Sequence, residues 1–161
     1  MNTSYFRIKL GKTEAIERLC SWSGSRCRER METDYSKAVD LSLDETGQWK
    51  GSCLYVYEKD GWTVFEDLSG GFSFLEAEQW RIFAQNDEVV FAGYNDSIPY
   101  AEVVMVQKGV IVKRFMEDCD MPEDNLNEGD ALPEITQWTD AASFVDGDEL
   151  VYSDRGELLI F

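Results

Sequence analysis

Across residues 53–68, CLYVYEKDGWTVFEDL, β-branched and aromatic residues run on both sides of Asp60-Gly61. A two-residue Asp-Gly loop tolerates the left-handed backbone of a tight turn, so this stretch predicts a β-hairpin. EVVMVQKGVIVKRF, residues 102–115, repeats the pattern around Lys108-Gly109, and ELVYSDRGELLIF, residues 149–161, around Asp154-Arg155-Gly156. Three antiparallel pairs predict a meandering sheet, to which Tyr5 to Leu10 adds another strand.

Elsewhere the apolar period lengthens. Ser73 and Glu76 have capping-box spacing, and Ala77, Trp80 and Ala84 follow at i, i+3 and i+7 beside Phe83, which predicts a helix over 74–85. Pro133 suits a first helical turn, and Ile135, Trp138, Ala142 and Val145 share one face. They predict a second helix near 136–144, with Gly147 just beyond it. Thr13 to Cys20 forms a short third candidate carrying Ile16 and Leu19. SWSGSRCRERMETD, residues 21–34, shows neither period and predicts a loosely packed loop, so residues 1–40 read as a less regular segment. No repeat or linker divides the chain. The expected architecture is a single α+β domain over 1–161, an antiparallel meandering sheet with two or three helices packed on one face.

Composition agrees with such a core: 161 residues suffice for one, and 43% apolar with 13% aromatic residues excludes a disordered chain. Charge narrows the partners. The formal net charge is −17, from 15 basic and 32 acidic residues. Residues 1–40 hold 8 basic against 6 acidic side chains, and residues 41–161 hold 7 against 26. Between Arg114 and Arg155 there are thirteen carboxylates and no Lys or Arg. Such a chain is unsuited to binding nucleic-acid phosphates directly or an anionic membrane surface, and its natural partners are cations. The stretch MEDCDMPEDNLNEGD, residues 116–130, concentrates the field in Glu117, Asp118, Asp120, Glu123, Asp124, Glu128 and Asp130. It reads either as a solvated face that keeps the chain soluble or as a contact surface for a basic partner.

Candidate chemistry is sparse. With no His in the chain, Ser-His-Asp and Cys-His nucleophile systems are excluded. No glycine-rich phosphate loop occurs, and Gly70-Gly71 reads as a turn. Cys20, Cys27, Cys53 and Cys119 contain no C-x-x-C pair, so they read as reduced, partly buried thiols and not as a zinc site. Asp118, Asp120, Asp124 and Glu128 miss the EF-hand spacing, because Pro122 stands at a ligand position and the sixth-position Gly is absent. No cofactor and no metal are expected. A carboxylate pair such as Glu66 and Glu102 could do acid/base work if their strands were neighbours. No eighteen-residue apolar run occurs and the first residues lack a signal-peptide core, so the expected location is cytoplasmic.

FAGYNDSIPYAEVV, residues 91–104, places Tyr94, Asn95, Asp96 and Tyr100 around a turn. The tyrosines either pack over a sheet edge or provide aromatic anchors within an acidic binding face. Together with GWTVFEDLSGGFSFLEAEQW and ITQWTDAASFVDGDELVYSDRGELLIF, this stretch resembles, in style and charge over about residues 50–161, the small acidic cytoplasmic immunity proteins of bacterial polymorphic toxin systems. The resemblance implies a protein that binds a cognate toxin domain and blocks it. With the acidity and the sparse catalytic chemistry, the expected protein is non-catalytic and neutralises a basic toxin domain, as a monomer or in a 1:1 heterocomplex. A nuclease toxin has a basic phosphate-binding cleft that carboxylates can occupy. Asp118, Asp120, Glu123, Asp124, Glu128 and Asp130, with Tyr94, Asn95, Asp96 and Tyr100, are the candidate contacts. The alternatives are an acidic regulatory module or DNA mimic unrelated to toxins, and a small carboxylate-dependent hydrolase or carbohydrate-binding domain with a pocket lined by Trp49, Trp62 or Trp80.

Overall fold

The computed structural model describes residues 2–147 and 155–161. Its strands are β1 (Asn2–Ile8), β2 (Glu29–Thr33), β3 (Cys53–Lys59), β4 (Trp62–Asp67), β5 (Val89–Asn95), β6 (Tyr100–Gln107), β7 (Val110–Asp118), β8 (Leu126–Glu128) and β9 (Gly156–Ile160). Its helices are α1 (Lys12–Ser23), α2 (Tyr35–Leu41), α3 (Ala77–Ala84) and α4 (Trp138–Gly147). The strands form one sheet in the order β2-β9-β3-β4-β1-β5-β6-β7-β8, with every neighbouring pair antiparallel. The α+β class is as expected. The sheet meanders through β5 to β8, but β1 inserts between β4 and β5, and β9 between β2 and β3.

Two of the three expected hairpins are present. Asp60 and Gly61 have φ of 51° and 83°, and Lys108 and Gly109 of 51° and 75°. Positive φ at both central residues gives a turn whose twist matches the strands it joins. The hairpin expected over 149–161 falls partly on residues that are not described. Its first arm lies outside the described residues, and its second arm, β9, is flanked by β2 on one edge and β3 on the other.

The helices cover both faces, not one. Alternation in the strands splits the apolar residues into two sets. Phe6, Phe65, Phe91 and Val104 pack with Leu19 of α1 and with Trp80 and Phe83 of α3. Tyr5, Tyr57, Ala92, Val103 and Phe115 pack on the opposite face with Ala38 of α2 and Ala141 and Val145 of α4. In the first layer the ring of Trp80 stacks on Phe91 at 4.8 Å and Phe6 on Phe65 at 4.7 Å. The α3 start differs from expectation. Glu76, not Ser73, is the N-cap, and its capping box closes with Gln79. The α4 helix begins two residues later than expected and includes Gly147.

Residues 2–40 are more regular than expected: β1 and α1 stand where a strand and a short helix were expected, but β2 forms within 21–34, where a loop was expected, and α2 follows it. The strand β2, ERMET, has no apolar alternation because it is an edge strand with an exposed outer side. Its backbone ladder with β9 is reinforced by charge. Arg30 grips Glu157 of β9 through Nε–Oε1 at 2.8 Å and Nη2–Oε2 at 3.1 Å, and Lys12 reaches the same carboxylate at 3.0 Å. The Arg30 fork holds the Glu157 carboxyl below its ordinary range.

The far edge is held by another cation. Lys113 is 2% exposed, and its Nζ donates to Asn127 Oδ1 at 2.8 Å and to the Ile135 carbonyl at 3.2 Å. The first bond holds the edge strand β8 and the second the segment that follows it. No helix among the described residues is long and apolar enough to cross a membrane.

Candidate functional site

The acidic segment is built into one end of the sheet. Tyr100 opposes Asp118 across β6 and β7, and the Cys119 N–H donates to the Pro99 carbonyl at 3.0 Å. These contacts bring the β5–β6 turn against the segment that leaves β7. The turn is set by Asn95, whose Oδ1 accepts from the N–H of Ser97 at 2.9 Å. Asp118 shapes the opposing segment: its Oδ1 accepts from the N–H of Asp120 at 2.8 Å, while its own N–H donates to Asn125 Oδ1 at 2.7 Å. A 3-10 turn over Pro122–Asp124 follows. Asp120, Glu123 and Asp124 are thereby exposed on an ordered frame.

Not every acidic residue belongs to that end. Glu117 accepts from the N–H of Trp138 at 2.7 Å and caps the start of α4. Glu128 opposes Arg114, four residues along β7 from Asp118, which is about 13 Å away at the strand rise. Asp130 follows it beyond Gly129, whose φ of 90° allows the chain to pass over Val112. The structure therefore groups Asp118, Asp120, Glu123 and Asp124 with Asn95, Asp96 and Tyr100, and separates them from Glu128 and Asp130. Among the described residues, none of Asp118, Asp120, Glu123, Asp124, Glu128 and Asp130 has a Lys or Arg within salt-bridge range.

The two tyrosines do not form one anchor. Tyr94 packs on the α4 face and donates its hydroxyl to Asp146 at 2.8 Å. Tyr100 points to the opposite face, where its hydroxyl donates to Glu102 Oε2 at 2.9 Å and its ring meets Phe74 at 5.2 Å. Phe74 is 65% exposed and holds a left-handed backbone at φ 64°. That conformation is costly for a bulky residue. Ile98 and Met121 are also exposed at this end, so three apolar side chains stand among the carboxylates.

Beneath Phe74 runs a cleft of about 180 Å³ between residues 74–77 and strands β6 to β8, with Glu102 and Arg114 in its wall. It continues into a wider opening bordered by Glu76, Glu78, Arg114 and Glu128. Glu102 is only 9% exposed, and burial pushes its carboxyl up to about 7, although bonds from the Tyr100 hydroxyl and the Phe74 N–H oppose the shift. Asp67, buried in the same row of the sheet beyond Ser4 and Gly93, is also raised by burial. Three strand spacings, about 14 Å, separate the Cα atoms of Asp67 and Glu102, too far for a carboxylate pair across one bond.

The pair Glu66 and Glu102 is not assembled. Strands β1 and β5 lie between β4 and β6, and Glu66 faces the opposite layer, where it accepts from the Tyr57 hydroxyl at 3.3 Å. Trp49, Trp62 and Trp80 are dispersed over the molecule and share no pocket among the described residues. Trp80 is core, Trp62 lies under Arg7 with the guanidinium carbon 4.6 Å from its ring, and Trp49 is exposed near the β3 entry. Phe74 and the burial of Glu102 escaped the sequence reading. One signal was present: Glu102 alternates in phase with Val104 and Val106, so it is a carboxyl in a core row.

Comparison of the chain with protein families, curated proteins and solved structures finds no match.

Proposed function

We propose that this chain is a cytoplasmic binding protein that neutralises a basic toxin domain, with a nuclease as the class of toxin whose phosphate-binding cleft fits a surface of carboxylates. The observation that carries this reading is the ordered acidic end. Asp118, Asp120, Glu123 and Asp124 are held without cationic partners among the described residues, beside exposed Phe74, Ile98 and Met121. Apolar anchors within a charged rim are what a specific interface needs, and unpaired carboxylates gain attraction only when a basic surface arrives.

The test mixes the purified chain with a basic nuclease toxin domain encoded beside its gene. Stoichiometric loss of nuclease activity supports the reading, and undiminished cleavage at equimolar chain refutes it. In the quadruple variant Asp118→Asn, Asp120→Asn, Glu123→Gln, Asp124→Gln, association should slow about tenfold or more, measured by stopped flow, and the difference should shrink as salt rises. Asn at 118 retains the oxygen that forms the turn, so the melting temperature should stay unchanged or rise slightly.

A second reading rests on the cleft. Glu102, raised to about 7, with Glu76 close enough to add to that shift, is a pair that a small hydrolase could use as acid and base. Turnover of a glycoside or ester lost in Glu102→Gln would favour it.

A further inference from the structure

We infer that the cleft beneath Phe74 receives one Lys or Arg side chain of the basic partner, with the Phe74 and Tyr100 rings beside its cationic head and the Glu102 carboxylate as its counter-ion. The inference deepens the proposed binding of a basic partner and rests on that reading. Four observations meet at this place.

First, the charge balance at the cleft is negative. Glu76 and Glu102 face Arg114, Glu128 borders the opening, and Glu78 is paired with Arg81. Second, Glu102 is held by two neutral donors, the Tyr100 hydroxyl and the Phe74 N–H, and among the described residues no cation lies within salt-bridge range of it. Burial without a counter-ion favours the protonated form, so an entering guanidinium or ammonium gains a full ionic partner by displacing that proton. Third, Phe74 is kept exposed at an unfavourable φ with its ring on Tyr100. This creates an aromatic wall at the cleft mouth, suited to a cation over its face. Fourth, the wall below is apolar, formed by Val104, Met116 and Leu126, which accommodates the methylene stem of a long basic side chain.

Several charges bear on the pH dependence that follows. Arg114 from β7 favours ionised Glu102, and Glu76 at the α3 cap opposes it. Glu128 from β8 and Asp118 at the end of β7 add further negative charge nearby. Cation binding should therefore tighten as pH rises from about 6 to about 8, while a proton leaves Glu102.

The experiment uses the full chain and a blocked amino acid as the probe. N-acetyl-arginine methylamide is titrated into the isotopically labelled protein at about pH 7.5 and followed by NMR, with the isosteric, uncharged N-acetyl-citrulline methylamide as the control. Saturating shifts at Phe74, Tyr100 and Glu102, absent with the citrulline compound and weakened about tenfold or more in Glu102→Gln, support the inference. Shifts confined to residues 118–124, or cleft shifts that survive in Glu102→Gln, overturn it. The quadruple acidic variant should keep its cleft shifts, and their loss would also overturn the assignment. Because the probe needs no protein partner, its failure removes the anchor cleft alone, whereas a toxin domain that does not bind removes the wider reading.

Discussion

Raising the pH from about 5 to about 8 should destabilise the folded chain by about 2.5 kcal/mol through Glu102 alone. Its carboxyl titrates at about 7 when folded, against an ordinary value of 4.5 once the chain unfolds and water reaches it. Between those values the folded state binds the extra proton. The stabilisation is therefore fully present below about pH 4.5 and is lost as pH rises through about 7. Asp67, also raised by burial, adds to the same trend. Carboxylates held low, such as Glu157 with Arg30, act in the opposite sense but only in more acidic solution. Urea unfolding at the two pH values measures the difference. In Glu102→Gln most of the slope should disappear, since the amide oxygen can still accept from Tyr100 and Phe74. A wild-type stability that is flat across this range would contradict the buried carboxyl.

Trp80→Ala should cost about 3–5 kcal/mol, because a fully buried indole stacked on Phe91 and flanked by Phe6 and Phe83 leaves a cavity among large rings that cannot collapse to fill it. Trp80→Phe should cost much less, about 1–2 kcal/mol. The indole Nε1 is buried with no hydrogen-bond partner among the described residues, so removing it also removes an unsatisfied donor. Chemical denaturation of both variants at about pH 6 separates the two contributions. Equal losses would show that the second indole ring, and not aromatic bulk in general, is what holds the layer.

The sequence was most legible where local chemistry leaves one choice. Asp60-Gly61 and Lys108-Gly109 define their turns because few other residue pairs accept two left-handed positions. Trp80 and Ala84 mark α3 because their spacing repeats with the helix. The strand β2 was illegible because its partners, the β9 ladder and Glu157 opposite Arg30, lie more than a hundred residues away, and an edge strand needs no apolar alternation. The expectation that helices cover one face failed for a related reason. Strands β1, β3 and β5 are apolar on both sides, as in Val89 to Ala92, and such runs do not reveal how many layers cover them. At the candidate site, the acidic run was visible as charge, but its division between Asp118 and Glu128 depends on the register of β7 with β8.

The placement of β9 between β2 and β3 has a kinetic consequence. Among the described strands β2 has no neighbour except β9, so it can join the sheet only after the chain has closed a loop of more than a hundred residues. The β5 to β8 ladder, by contrast, forms through neighbouring segments. Loop closure must precede the contacts that reward it, and mean sequence separation governs folding speed. The ladder that carries the acidic end should therefore acquire protection from hydrogen exchange early in refolding, with β2 and β9 last.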